Sequence, residues 1–125
     1  MLPTILLYAA AGITLIWGVA HIAAMGPVVR RFAPLAEDNR RILIMEWIAE
    51  GLTLCFIGLI ILLLTLTSGP DNPAAFLVYG LCAGMLVLMA FLTQITGARS
   101  SIKPIKFCPY VKAAAAILLL LGIFL

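Results

Sequence analysis

Charge is what this sequence of 125 residues has least of: only 10% of the residues are Asp, Glu, Lys or Arg, whereas 65% are hydrophobic. A water-soluble domain of this length needs far more polar surface than such a composition provides. The apolar runs exceed about 20 residues with few charges, which is long enough to cross the hydrocarbon of a bilayer. The composition therefore excludes an ordinary soluble domain and predicts an integral membrane protein in contact with the lipid bilayer.

Cysteine and histidine are also scarce, with three and one in the chain. The cysteines form no Cys-x-x-Cys pair, so the sequence predicts neither a disulfide framework nor a metal site. Cys55 and Cys82 lie within apolar runs and are interpreted as packing residues. Cys108, beside Pro109, is predicted to be a free thiol on the cytoplasmic side. The single histidine disfavours a haem held by two histidines, and the sequence identifies no cofactor.

The basic residues fall into two short stretches, 30–41 and 99–112, which together hold all eight lysines and arginines. Clusters of Lys and Arg that flank membrane helices are typical of cytoplasmic loops. This placement explains the net charge of +3 without a nucleic-acid partner. It predicts that both stretches are cytoplasmic and that both termini are non-cytoplasmic.

The hydrophobic pattern predicts an all-α membrane protein, a bundle of four transmembrane helices in one domain that covers residues 1–125. A short interfacial helix is predicted between helices 1 and 2, because Val28, Val29 and Phe32 recur on one side of that connection. Gly80 and Gly84 in helix 3 have the spacing of a close-packing face, which we expect to meet another helix of the bundle. The predicted bounds of the four helices are about 3–25, 39–65, 74–96 and 109–125.

Polar side chains interrupt the apolar helices at similar depths. Glu46 and Glu50 lie one turn apart on helix 2 and therefore share a face. Ionisable groups inside a membrane face the protein interior or a water-filled cavity by default. The candidates for a ligand-binding site or proton path are Glu50, Glu46, His21, Gln94, Trp17 and Trp47. The alternative interpretation is a hydrogen-bonded cluster that only stabilises the bundle, with the two tryptophans as packing or interface aromatics.

Glu50 is the deepest of these groups, and a lone carboxylate at that depth is unfavourable in its charged form. We expect it to face the bundle interior and to be protonated much of the time, with His21 or Glu46 within reach. Under that expectation, Glu50→Gln costs little stability while it removes function.

Two segments resemble a known family. The run from Glu50 to Gly58 is similar to the second helix of DoxX-like bacterial membrane proteins. The Trp17-Gly18-Val19-Ala20-His21 segment resembles their first helix, where a lysine often stands in place of His21. The resemblance implies a four-helix protein of the bacterial inner membrane, in some cases an accessory subunit of quinone-linked or thiol-linked redox systems.

Three classes of function remain open. The first is a binding or accessory subunit whose acidic pocket holds a lipophilic small molecule such as a quinone or a lipid, in a homo-oligomer or a larger membrane complex. The second is a proton-coupled transporter of small molecules, because such proteins need carboxylates within the membrane. The third is an intramembrane acid–base enzyme of the isomerase kind, in which a glutamate and His21 would act on a hydrophobic substrate.

Overall fold

The computed structural model describes all 125 residues, and its helices confirm the predicted all-α bundle. Four helices are long and apolar enough to span a membrane. A five-residue helix follows the first of them, where the sequence predicts a short helix. The elements are α1 (Leu2–Ala23), α2 (Met25–Val29), α3 (Glu37–Thr67), α4 (Pro73–Ile95), a 3₁₀ turn (Gly97–Arg99) and α5 (Lys103–Phe124).

Local chemistry accounts for where the helices begin. The Asn72 side chain accepts hydrogen bonds from the backbone N–H groups of Ala74 and Ala75, at 2.9 and 3.3 Å, and Pro73 occupies the first turn of α4. This is the common N-cap arrangement, in which a side-chain oxygen satisfies free backbone donors. Glu37 and Asp38 lie in the first turn of α3, where negative charge favours the helix dipole.

The last helix begins two turns earlier than the sequence predicts. Its predicted start at Pro109 is wrong, because α5 begins at Lys103 and contains Pro109 in its interior. Pro104 satisfies the preference for proline in the first turn, and Ile102 and Ile105 dock against Val28 and Trp47. Proline is tolerated inside membrane helices when neighbouring groups satisfy the freed backbone carbonyl. The 22 residues of α5 give a length of about 33 Å, enough for a full span.

The four long helices do not pack equally. α1 lies against α3 along most of its length, and α5 packs on both α1 and α4. α3 and α4 touch little; near one end of the bundle the Thr65 and Tyr79 hydroxyls are hydrogen-bonded across this seam at 3.0 Å. Towards the other end the seam opens. The bundle is therefore closed on three sides and open between α3 and α4.

The close-packing prediction for α4 is wrong. A Cβ atom added at Gly80 or Gly84 would meet no atom within 4 Å, so neither glycine faces another helix. The packing face of α4 instead contains Tyr79, Ala83 and Leu86, which are buried. The spacing of two glycines fits close approach, but it does not say which face of the helix meets a neighbour.

Seven of the eight basic side chains are exposed at the end of the bundle that carries α2 and the 3₁₀ turn, which we call the loop end. The eighth, Lys112, is 1% exposed and lies inside the bundle. Its assignment to the cytoplasmic basic stretch is therefore wrong. The helix that starts at Lys103 carries Lys112 several turns into the apolar part of the molecule.

The orientation of the bundle in a membrane stays a prediction. With the loop end cytoplasmic, as the remaining basic residues favour, a cysteine placed at Ser100 should react with a membrane-impermeant maleimide only from the cytoplasmic side. A cysteine at Asp71 should react only from the opposite side. The unsubstituted protein supplies the background from its own three cysteines. Labelling of both positions from one side would contradict the arrangement.

Candidate functional site

The centre of the polar site is an ion pair between Glu50 of α3 and Lys112 of α5. The Lys112 ammonium donates a hydrogen bond to Glu50 Oε1. The Lys112 side chain is 1% exposed, whereas that of Glu50 is 30% exposed. A buried ammonium is tolerated when a carboxylate and further hydrogen bonds compensate for its lost hydration. Glu50 is therefore not the lone carboxylate that the sequence analysis expects, because Lys112 supplies its counter-charge.

Thr93 of α4 completes the environment of the ammonium. Lys112 Nζ donates to Thr93 Oγ1 at 2.8 Å, and that hydroxyl donates in turn to the backbone carbonyl of Met89, also at 2.8 Å. An ammonium has three donors. Glu50 and Thr93 accept two of them, which leaves one for a further acceptor.

His21 of α1 approaches the same carboxylate from the other side. Its Nε2 lies 3.6 Å from Glu50 Oε2. The imidazole stacks on the Trp47 indole, with ring centroids 4.1 Å apart and an interplanar angle of 10°. Trp47 Nε1 also donates to the backbone carbonyl of His21. Stacking and this hydrogen bond fix the histidine ring against α3.

Trp17 and Cys108 form the remaining wall of the site. Trp17 Nε1 donates to Cys108 Sγ at 3.3 Å, and Cys108 Sγ lies 3.8 Å from Glu50 Oε1. The placement of Cys108 as a cytoplasmic thiol is wrong, because its side chain is buried between α1, α3 and α5. Both tryptophans thus use their indole N–H groups to join helices.

A cavity of about 420 Å³ opens in the seam between α3 and α4, and the ion pair forms part of its wall. We call it the lateral cavity. Most of its lining is apolar, with polar groups from Glu46, Thr53 and the Glu50–Lys112–Thr93 set. Its full lining is Leu43, Glu46, Trp47, Ala49, Glu50, Thr53, Met85, Met89, Leu92, Thr93 and Lys112.

The structure brings together four of the six residues singled out from the sequence, namely Glu50, His21, Trp17 and Trp47. Glu46 is exposed and lines the lateral cavity one turn from Glu50, towards the loop end. Gln94 is exposed and lines a different cavity of about 450 Å³ between α4 and α5. One residue turns a helix by about 100°, so Thr93, not Gln94, faces the ion pair.

The donor atoms of His21, Glu50 and Cys108 lie within 4.8 Å of one another, a spacing that could hold a metal ion. The sequence analysis expects no metal site and does not anticipate this cluster. Lys112, however, bonds the same Glu50 oxygen that Cys108 approaches. A divalent cation at the centre would meet the lysine charge at short range in a medium of low dielectric. The set is better suited to hold and share protons.

Three residues of the site are not among the six candidates predicted from sequence: Lys112, Thr93 and Cys108. A signal for Lys112 was present, since it stands alone between Val111 and a run of four alanines. Pro104 as the first-turn proline of α5 would have placed it inside the membrane. Thr93 gives no comparable signal, because hydroxyls are common in membrane helices.

Comparison with known proteins adds no relative to this description, since no family model, curated protein or solved structure matches the chain.

Proposed function

We propose that this membrane protein binds a lipophilic small molecule in the lateral cavity, with the polar head of the ligand at the Glu50–Lys112 pair. The observation that carries the proposal is the ion pair itself, which lies in the wall of a mostly apolar cavity between two membrane helices. Ligand sites are commonly apolar cavities of about 300–1,000 Å³ with a few convergent polar groups. The cavity volume of about 420 Å³ falls in that range.

The open seam supports entry from the bilayer. α3 and α4 contact each other little, so the cavity is not sealed by a third helix on its outer side. Leu92 and Met85 line the cavity and are exposed apolar side chains that lipid would cover. A ligand with an apolar tail could leave that tail among lipid chains while its head reaches Lys112.

The charges favour a neutral head group with both carbonyl and hydroxyl character. Lys112 and Glu50 neutralise one another, so a charged head would compete with the pair and leave one buried charge uncompensated. A carbonyl oxygen can accept the third Lys112 donor, and a hydroxyl can donate to the exposed part of Glu50. Quinones and quinols have this chemistry. The chain resembles DoxX-like proteins of the bacterial inner membrane, some of which are accessory subunits of quinone-linked or thiol-linked redox systems. This resemblance points to the same class of ligand.

Tryptophan fluorescence tests binding directly, because the chain has two tryptophans and Trp47 lines the cavity. In a Trp17→Phe protein, a benzoquinone with a decyl tail should quench Trp47 saturably. The Glu50→Gln/Lys112→Met double variant should bind at least about tenfold more weakly, since the hydrogen bond that the Lys112 ammonium donates to a quinone carbonyl, worth roughly 1.5–3 kcal/mol, is lost. Gln94→Leu, a polar change on the same helix outside the cavity, should bind like the parent.

Two results would contradict this proposal. One is quenching that rises linearly with quinone and never saturates. The other is equal affinity in the parent and the double variant. Decyltrimethylammonium and decanoate serve as charged probes with the same tail, and both should compete poorly with the quinone.

Proton-coupled transport is the second candidate, because Glu50 and His21 lie between the lateral cavity and a second cavity at the loop end. Uptake of a ligand into proteoliposomes that follows a pH gradient would favour it over simple binding. The titratable side chains that line the lateral cavity are those of Glu46, Glu50 and Lys112. No further side chain offers acid–base chemistry to a substrate there, so an acid–base enzyme has no comparable support.

A further inference from the structure

His21 Nε2 is a buried polar atom with no hydrogen-bond partner. The side chain is 5% exposed, and its ring is fixed by the stacking on Trp47. A buried donor or acceptor left unpaired costs about 1–3 kcal/mol. Glu50 Oε2 lies 3.6 Å from His21 Nε2, slightly beyond a direct hydrogen bond. The two groups are therefore placed to exchange a proton after a small approach or through one water molecule.

The two oxygens of Glu50 face different partners. Oε1 accepts from Lys112 and lies near Cys108, whereas Oε2 faces His21. The lysine pair can therefore hold the carboxylate in place while the second oxygen gains or loses a proton. This division separates the positioning of Glu50 from its exchange of protons.

A second cavity of about 210 Å³ lies on the far side of His21. It is lined by His21, Trp17, Ala20, Ala24, Trp47 and Pro104. Ala24 directly follows α1, and Pro104 lies in the first turn of α5, so this space is at the loop end of the bundle. We call it the loop-end cavity. His21 lines the loop-end cavity and Glu50 lines the lateral cavity. The two side chains meet where His21 Nε2 lies 3.6 Å from Glu50 Oε2.

We propose that His21 relays protons between the loop-end cavity and Glu50, so that a ligand head in the lateral cavity exchanges protons with the solution at the loop end. In the inward step, imidazolium Nε2–H transfers its proton to Glu50 Oε2. The N–H bond breaks, the O–H bond forms, and neutral imidazole and a neutral carboxylic acid remain. The imidazole keeps its Nδ1 proton, so a hydronium ion from the loop-end cavity returns a proton to the vacant Nε2 and leaves as water. In the outward direction every step reverses.

The charged and titratable groups around His21 fit this role. Glu50 of α3 favours the imidazolium, while Lys112 of α5 opposes it, and Cys108 is the other titratable group that faces the ring from α5. Trp47 contributes only its stacked face and its indole N–H. Glu50 is the proton acceptor that faces the imidazole, with its Oε2 3.6 Å from Nε2, and histidine is the side chain best suited to gain and lose a proton near neutral pH.

This inference concerns the same site as the proposed function, but its test needs no ligand. After a rapid drop in pH, protonation of Glu50 can be followed by the infrared band of its carboxylic acid, identified by the loss of that band in Glu50→Gln. His21→Phe retains a ring to stack on Trp47 but carries no proton. It should slow the appearance of the band by on the order of a hundredfold. Gln94→Leu, a polar change that lies outside both the lateral and the loop-end cavity, should leave the rate near that of the parent.

A pair of matched alanine variants tests the route. Ala24→Leu places bulk in the loop-end cavity and should slow Glu50 protonation, whereas Ala23→Leu, on an exposed neighbouring position outside that cavity, should not. Equal rates in the parent, His21→Phe and Ala24→Leu would overturn the relay. So would a Glu50 band that never appears over the pH range in which the protein stays folded.

A measurement on the unsubstituted ring covers the case in which His21→Phe fails to fold. Because the chain has one histidine, ¹⁵N-labelled histidine gives a single pair of imidazole resonances. We expect the Nε2 resonance and its pH titration to shift in Glu50→Gln and to stay unchanged in Glu37→Gln, a change in the exposed pair with Arg41. An Nε2 titration that Glu50→Gln leaves unmoved would overturn the relay. Saturable quinone binding could still hold in that case, so the two proposals fail separately.

Discussion

Glu50→Gln is expected to unfold at a markedly lower temperature than the parent protein in detergent. The substitution removes the negative charge opposite the Lys112 ammonium, which is 1% exposed, and leaves it only the neutral acceptors of the new amide and of Thr93. Removing one member of a buried ion pair typically costs about 3–5 kcal/mol, since the other charge stays buried without compensation. This revises the expectation from sequence that Glu50→Gln costs little stability.

The reciprocal change should cost less. Lys112→Met leaves the Glu50 carboxylate without a counter-charge. The Glu50 side chain, however, is 30% exposed and can be hydrated from the lateral cavity. The double variant Glu50→Gln/Lys112→Met has no uncompensated charge and should regain much of the stability that Glu50→Gln loses. The coupling between the two sites should therefore exceed about 1 kcal/mol in a double-mutant cycle.

The surface pair provides the control for these variants. Arg41 and Glu37 form an ion pair at 2.9 Å with both side chains mostly exposed, so Glu37→Gln should barely change the unfolding temperature. A Glu50→Gln protein as stable as the parent, or additive single and double variants, would mean that the buried pair does not form.

Gly18→Ala and Gly58→Ala are the next largest expected losses of stability. A Cβ at Gly18 would lie 2.8 Å from the backbone N of Cys55 and 2.9 Å from the carbonyl oxygen of Gly51. A Cβ at Gly58 would lie 2.9 Å from the backbone N of Leu15. These neighbours are backbone atoms and can move only if α1 and α3 separate. Overpacking of this kind typically costs about 1–3 kcal/mol, and separation would also disturb the contact of His21 with Glu50.

Gly84→Ala is the matched control, because a Cβ there meets nothing within 4 Å. It should leave the unfolding temperature unchanged or raise it, since alanine favours a helix over glycine by about 1 kcal/mol. Thermal unfolding of the three variants in one detergent measures the contrast. Similar losses at Gly18, Gly58 and Gly84 would contradict the assigned packing faces.

The positions of the helices along the chain are predicted from the sequence far better than the faces by which the helices pack. Length and hydropathy are properties of each helix alone. The four membrane spans and the short helix α2 therefore follow from the apolar runs and from the glycines and prolines that separate them. Which side of a helix meets a neighbour depends on the other helices. Gly80 and Gly84 have the right spacing, yet they face outward while Gly18 and Gly58 lie between α1 and α3.

For the candidate site too, the depth of a residue in the membrane is easier to predict than the direction in which its side chain points. Glu50 is unusual wherever its helix packs, because a carboxylate in an apolar run must find a partner. Depth brought His21 into consideration, and the structure places it 3.6 Å from Glu50. When the last helix is predicted to begin at Pro109, Lys112 is grouped with the lysines of the preceding loop. The start at Lys103 places it inside the bundle. Gln94 and Thr93 lie at nearly the same depth on α4, and depth along a helix does not fix the direction around it, so the sequence does not identify Thr93 as the one that meets Lys112.

Ligand binding at the Glu50–Lys112 pair can be tested by photo-crosslinking with a diazirine-bearing benzoquinone, followed by mapping of the modified residues. The account predicts labels on Met85 and Met89 of α4 and on Ala49 of α3, which line the lateral cavity. These labels should be lost in Glu50→Gln/Lys112→Met. The apolar cavity between α4 and α5 is the internal comparison. Labels confined to Phe91 and Tyr110 there, and unchanged in the double variant, would contradict the account.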